Sequence, residues 1–370
     1  MVSGSIDVAV TGDMVLDEPD AGYWLSGIAP ALHSADLAIA HLEVPHTASG
    51  DELAGDVPAP GAPPENLAAL AQAGVGMVSL AGNHISDCGA QGIADTIAGL
   101  DAAGVLYTGA GPDLAAARRP AIAYVKQRRI ALLSYNCVGP ENGWASASGA
   151  GCGYLPMGTG DGSPVTPQKD IASILPTAFE ILRDDIAAAR TQADVVIIAM
   201  HKGLVHRPAQ LAPYERPLAQ AAIDHGADAV IGHHAHIVKG IEFYRDRPIF
   251  HGLGNGCVVT SALSPDQDHP ARAQWAQRRK ALFGFEPDPE YRLAPFHPEA
   301  VNAFIGRLTL AQDGSVTAGL IPVHVEAPGR PVLADASRGR EIAAYVERIT
   351  RQAGLPAITV EEDYTVRAAS

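Results

Sequence analysis

The stretch VIGHHAHIVKG, residues 230–240, runs as an apolar segment to Gly232 and then sets His233, His234 and His236 close together. Other apolar runs end in the same way, each on residues that can do chemistry: Asp13 after IDVAVTG, His41 and Glu43 in DLAIAHLE, Asn83 and His84 after GMVSLAG, and His201 after DVVIIAM. Imidazoles, carboxylates and one amide gathered from separate strand ends suit borderline divalent cations. Neutral imidazole favours zinc, iron or manganese, and a carboxylate can bridge two ions. The spacing His234-x-His236 predicts two side chains on one face of an extended segment, with His233 turned elsewhere. His41 stands two positions from Glu43, either as a ligand or as a partner that orients the carboxylate.

The elements that must position these residues read as alternating strands and helices. Short apolar strands alternate with helical stretches such as PPENLAALAQAG and GAQGIADTIAGLDAAG, which close on glycine. The run ILPTAFEILRDDIAAARTQA feeds DVVIIAMHKG, and PYERPLAQAAIDHGA feeds DAVIGHHAH, so the βαβ rhythm repeats. Hairpins are expected in PAIAYVKQRRIALLSYN, at the RDR of GIEFYRDRPIF, and at Asp313-Gly314. In open α/β sheets ligands bind beyond the carboxyl ends of strands, which is where the candidate ligands fall. Residues 139–170 read as a long surface loop, DVPAPGAPPEN as a connector, 261–300 as an irregular lid-like insertion, and 356–370 as a C-terminal tail.

The chain has 370 residues, 47% hydrophobic and 18% charged, the composition of a globular enzyme. That length allows two domains, although α/β folds often run longer as one unit. A formal charge of −15 disfavours nucleic acid and anionic membrane surfaces as partners. The opening residues carry no basic, apolar leader and no segment reaches about 18 apolar residues, so the expectation is a cytoplasmic protein acting on a small molecule. Cys88, Cys137, Cys152 and Cys257 are too dispersed for a zinc knuckle or a disulfide framework.

In order, TGDMVLD, HLEVP, VSLAGNHISDCGAQG, MHKG and GADAVIGHHAHIVKGIEFY…PIFHGLGN resemble the CapA family, the poly-γ-glutamate capsule synthesis type within the calcineurin-like metallophosphoesterase superfamily. The resemblance implies an α/β fold, a four-layer α/β/β/α sandwich forming a single domain over 1–370, with a two-metal centre at one edge. It implies Asp13, Glu43, Asn83, His201, His234 and His236 as ligands, Glu43 as the bridge, and His84 beside the scissile bond. Three departures stand out. Val15 replaces a superfamily histidine, His41-Leu42-Glu43 replaces Asn-Leu-Glu, and HKGLV replaces His-Trp-Gly-x-Glu, which puts Lys202 at the tryptophan and Val205 at the glutamate. His41 is placed to make up for the missing histidine.

The expected activity is therefore that of a metal-dependent hydrolase using two divalent cations, manganese, zinc or iron, which lower the pKa of a bound water from 15.7 to roughly 7. His84 would serve the transition state or the leaving group. A phosphoester is the favoured substrate, with a carboxylic ester, lactone or amide, including a γ-glutamyl-type bond, as the alternative. A capsule-assembly factor without turnover is the second alternative. Lys202, His251, Arg292 and His297 are the candidate substrate contacts.

Overall fold

The computed structural model describes residues 4–54, 57 and 59–369, so Asp56 and Pro58 of the connector DVPAPGAPPEN lie outside the described residues, as do the first three residues of the chain. Two sheets are stacked, each backed by helices, in a four-layer α/β/β/α sandwich. In the larger sheet, Ile6–Leu16, Leu37–Leu42, Val75–Ser79 and Leu106–Thr108 run parallel in that order, and Asn255–Val259 pairs parallel to Ile6–Leu16. The hairpin Asn302–Leu310/Val316–Glu326 continues the sheet antiparallel on the other side. The smaller sheet has Arg128–Asn136, Val195–His201, Ala229–His233 and Arg247–Phe250 in parallel, with antiparallel edges at Ala121–Val125 and Ile241–Tyr244.

The two-residue period of a strand sorts its side chains between layers. Leu37 and Ile39 enter the core between the sheets, while Ala38, Ala40 and Leu42 face the helices Ala21–Leu25, Ala29–Ser34, Leu67–Gln72 and Gly89–Ala103. Val195, Ile197 and Ala199 face the inter-sheet core, whereas Val196, Ile198 and Met200 face the helices Pro176–Arg190 and Glu215–Asp224. Continuing the alternation puts His41, His201 and His233 at the inter-sheet edge, and it turns Lys202 away from them. This single periodicity builds the mouth of the site.

Two segments differ from expectation. The stretch expected as a tail, 356–370, forms Ile358–Val360 and Thr365–Ala368, which extend the larger sheet because Ile358 and Val366 bury themselves in the inter-sheet core beside the helix Ala336–Gln352. Residues 261–300 are not irregular throughout. Pro270–Phe283 is a helix, capped at its start by His269 and closed by Gly284 at φ 80°. Within the loop 139–170, Gly151–Cys152 and Met157–Thr159 form small pairings with Ala110–Gly111 and Ile171–Ile174. Among the described residues no helix is long and apolar enough to cross a membrane.

Candidate metal centre

Asp13 sits where Ile6–Leu16 slips register against both parallel neighbours, and its carboxylate accepts weakly from the His234 backbone N–H at 3.2 Å. Two groups of donors converge on it. Asp13, His41 and His201 each offer an atom within 4.8 Å of the others, and so do Asp13, Glu43 and His236. Asp13 is thus the carboxylate common to both triads, while Glu43, which the sequence reading took as the bridge, belongs to one of them.

The rings are held by their other nitrogens. His41 Nδ1 lies 2.9 Å from Ser79 Oγ, leaving Nε2 buried and without a partner. His201 Nε2 lies 2.7 Å from Asn83 Oδ1, and since an amide oxygen only accepts, the ring donates there and keeps its lone pair at Nδ1, which is also buried and unpartnered. His234 Nδ1 approaches His201 Nε2 at 3.1 Å. His236 Nδ1 meets Asn255 Oδ1 at 2.9 Å and its Nε2 lies 3.4 Å from Glu43 Oε1, an ion-pair contact rather than a hydrogen bond. Neither oxygen of Glu43 has a hydrogen-bond partner. A Cβ at Gly82 would come within 2.8 Å of His41 Nε2, so glycine keeps that approach open.

His41 Nε2, His201 Nδ1 and the Glu43 oxygens are buried without hydrogen bonds, and buried polar atoms left so would cost several kcal/mol. Carboxylate oxygens and neutral imidazoles are the donors that divalent transition ions take, so the residues fit the cations the sequence implied. Burial pulls the pKa of His41 down to about 4 and that of His234 to about 3. His201 is pulled well below its usual range by burial and by the surrounding histidines. These rings are therefore neutral, the ligand form. Burial would also pull down His236, but Glu43 and Asp13 outweigh it and hold that ring up at about 9. Burial and Glu43 together push Asp13 well up, while His236 outweighs burial at Glu43 and keeps it ionised.

His234 and His236 do not lie on an extended segment. The strand ends at His233, and they take φ values of 85° and 51°. Their convergence comes from left-handed turns rather than from strand alternation. His233 stacks on His41 with ring centroids 4.8 Å apart and points Nε2 at the Thr11 carbonyl oxygen at 3.3 Å, so it supports the centre from behind.

His84 stands beside the triads, with Nδ1 2.6 Å from Asp87 Oδ2 and its side chain 21% exposed. Asp87 went unnoticed in the sequence, although the spacing His84-x-x-Asp87 in HISD carried the signal. Asn255 and Ser79, which orient His236 and His41, left no comparable mark.

Two expected substrate contacts are corrected. Lys202 is fully buried, with Nζ 3.0 Å from Glu215 Oε2 and 3.2 Å from the His251 carbonyl oxygen. His251 is also fully buried, its Nε2 3.1 Å from Glu242 Oε2. Both belong to an internal charge network that reaches Lys239 and Arg216, and that engagement faces them away from the centre. Arg292 is exposed. His297 accepts from the Glu299 backbone N–H at 3.1 Å and lines a cavity of about 190 Å³ with Asn255, Cys257, Tyr291 and Phe296. Phe296 stacks on His236 at 4.9 Å, so the insertion does reach the centre, through an aromatic ring the sequence reading had not singled out.

Comparison with known proteins places the chain. A probable polyglutamine synthesis accessory protein of Mycobacterium tuberculosis is 32% identical over 236 residues, 63% of this chain and 58% of that protein. The PGA biosynthesis protein CapA of Bacillus subtilis is 29% identical over 191 residues, 52% of this chain and 44% of its own length. The chain thus spans about half the length of the curated relatives it matches. The calcineurin-like phosphoesterase YfkN of Bacillus subtilis is a loose likeness in shape, with a TM-score of 0.40 and 12% identity over 95% of this chain and 98% of that one. The profile of the family described as bacterial capsule synthesis protein PGA_cap matches residues 2–258, and this chain belongs to that family.

Proposed function

We propose that the protein is a metal-dependent hydrolase of a small-molecule ester, with a phosphoester as the preferred substrate. The observation that carries this reading is the pair of donor triads sharing Asp13, with the His84–Asp87 pair alongside. Asp13, His41 and His201 would hold one divalent cation, and Asp13, Glu43 and His236 a second, with Asn83 and His234 adjoining. When bound, such ions supply Lewis acidity and acidify a water to a pKa of roughly 7.

The chain's own residues do the rest. Asp87 accepts from Nδ1–H of His84 at 2.6 Å, which fixes the ring beside the triads. From there His84 can hand a proton to the departing oxygen, and Asp87 stabilises the imidazolium while it carries that proton. The neutral state of His41, His201 and His234 keeps protons from competing for their donor atoms. Localisation in the cytoplasm and action on a small molecule complete the proposal.

The names of the relatives favour a second reading, an accessory role in polymer or capsule synthesis without turnover. One experiment separates the two. The purified protein is assayed for bound manganese, zinc and iron, then for turnover on phosphoesters, carboxylic esters, lactones and amides. Metal with turnover of a phosphoester supports the first reading, and turnover of another class moves the substrate to a carboxyl centre. Bound metal with no turnover on any class favours the accessory role.

A further inference from the structure

The fold compensates its buried cations with care. The fully buried Lys202 and Lys239 share Glu215, and the partly exposed Arg216 and Arg190 are bonded to Glu242 and Asp228. Arg279, on the helix Pro270–Phe283, is different. It is 4% exposed, yet none of the ion pairs among the described residues includes it. Its guanidinium carries five N–H donors. Nη2 donates to the Leu263 carbonyl oxygen at 2.7 Å, the group lies 4.9 Å from the Trp275 ring centroid, and Nε is buried with no partner.

Its surroundings lead to the metal centre. Trp275 packs on Phe283, Phe283 on His206, and His206 on both Phe296 and His236. His206 is buried, takes φ 58°, and leaves its own Nδ1 without a partner. The positive charge of Arg279 is among those that keep the His206 ring neutral, after burial, His236 and His297. A guanidinium without an ion-pair partner thus sits within the insertion, linked to His236 through a chain of aromatic rings.

We infer that Arg279 is a substrate-recognition residue that binds an anionic group, carboxylate or phosphate, remote from the bond that is cleaved. A guanidinium whose Nε–H is unpartnered and whose Nη2 is held by a single carbonyl oxygen has the planar fork that matches the two oxygens of either anion, and a bound anion removes the cost of an unpaired buried charge. The aromatic neighbours give such a ligand an apolar body next to its charged end. The role of substrate rests on the hydrolase reading above; the anion site itself does not.

The test therefore uses equilibrium binding on the metal-loaded protein. Inorganic phosphate and succinate are titrated into the wild type, Arg279→Met and Arg279→Lys, with metal content and melting temperature measured for each. Arg279→Met is expected to weaken at least one anion tenfold or more, keep its metal, and melt at an equal or higher temperature in the absence of anion. Arg279→Lys, which keeps the charge but loses the fork, should fall between. The anion that shows the difference identifies the chemistry. The inference is overturned if neither anion binds the wild type, if both bind the variants unchanged, or if Arg279→Met merely melts several degrees lower with its affinities intact. Turnover absent from every substrate class, with the Arg279-dependent anion site present, would fail the hydrolase reading and leave this site standing.

Discussion

Asp87 is in neither donor triad, yet its carboxylate accepts from His84 Nδ1 and sets the tautomer of that ring. Asp87→Asn should keep the metal content and lower turnover by roughly 10², because an amide can present the wrong dipole to Nδ1. Equal loss of metal would make the pair part of the coordination scaffold instead. Asp17 gives a test of another kind. Burial raises its carboxyl to about 7, against one hydrogen bond donated by Thr260 that pulls it back. The folded state therefore binds a proton between about pH 4 and 7 that the unfolded chain has already released, so this residue's contribution to stability falls as pH rises through that window. Asp17→Asn should stabilise the protein by roughly 4 kcal/mol at pH 8 and hardly at all near pH 4, read by urea unfolding at both. At this scale the candidate donors that the fold brings together could be seen in the sequence, because each ends an apolar strand. Lys202 misled because adjacency to His201 along a strand means the opposite face. Arg279 was hidden because its isolation depends on which carboxylates are absent around it, and that is a property of packing.

Among the elements, the terminal pair Ile358–Val360 and Thr365–Ala368 was mistaken for a tail because each strand is short and lies in a polar setting. Ile358 and Val366 nonetheless bury in the core between the sheets, 3% and 1% exposed. Ending the chain after Leu355 should lower unfolding free energy by about 3–6 kcal/mol, taking 1.5–3 kcal/mol for each large apolar side chain returned to water. An unchanged urea midpoint would show that the helix Ala336–Gln352 closes the core unaided. The hairpins, by contrast, were readable from their turns. Lys126 and Gln127 both take positive φ, as do Arg245 and Asp246, which is the two-residue geometry a charged turn between apolar runs predicts. The insertion was readable only as a departure from pattern. Its helix has no strong apolar face, and its contact with the centre is made by Phe296, after the helix has ended.

Across the whole molecule, the centre draws Asp13, His41 and Glu43 from the larger sheet and its loops, and His201, His234 and His236 from the smaller one. The alternation of apolar residues showed that strands existed, but the stacking of one sheet on the other depends on side chains far apart in sequence. Divalent cations held by these residues would tie the two sheets together, so chelation should lower the melting temperature by the linkage expected of a tight ligand, and a melting curve insensitive to chelator would argue against a cross-sheet site. There is a consequence for the order in which the protein is made. Asp13 and His201 are separated by most of the first half of the chain, and His236 follows later still, so a growing chain holds no complete triad until the second sheet has been synthesised and docked. On the proposed metal centre, cations would not template the early steps and would bind only once assembly is nearly finished. Added manganese or zinc should leave the refolding rate of stripped protein unchanged and slow its unfolding, and a cell short of metal would accumulate a folded but unarmed protein rather than an unfolded one.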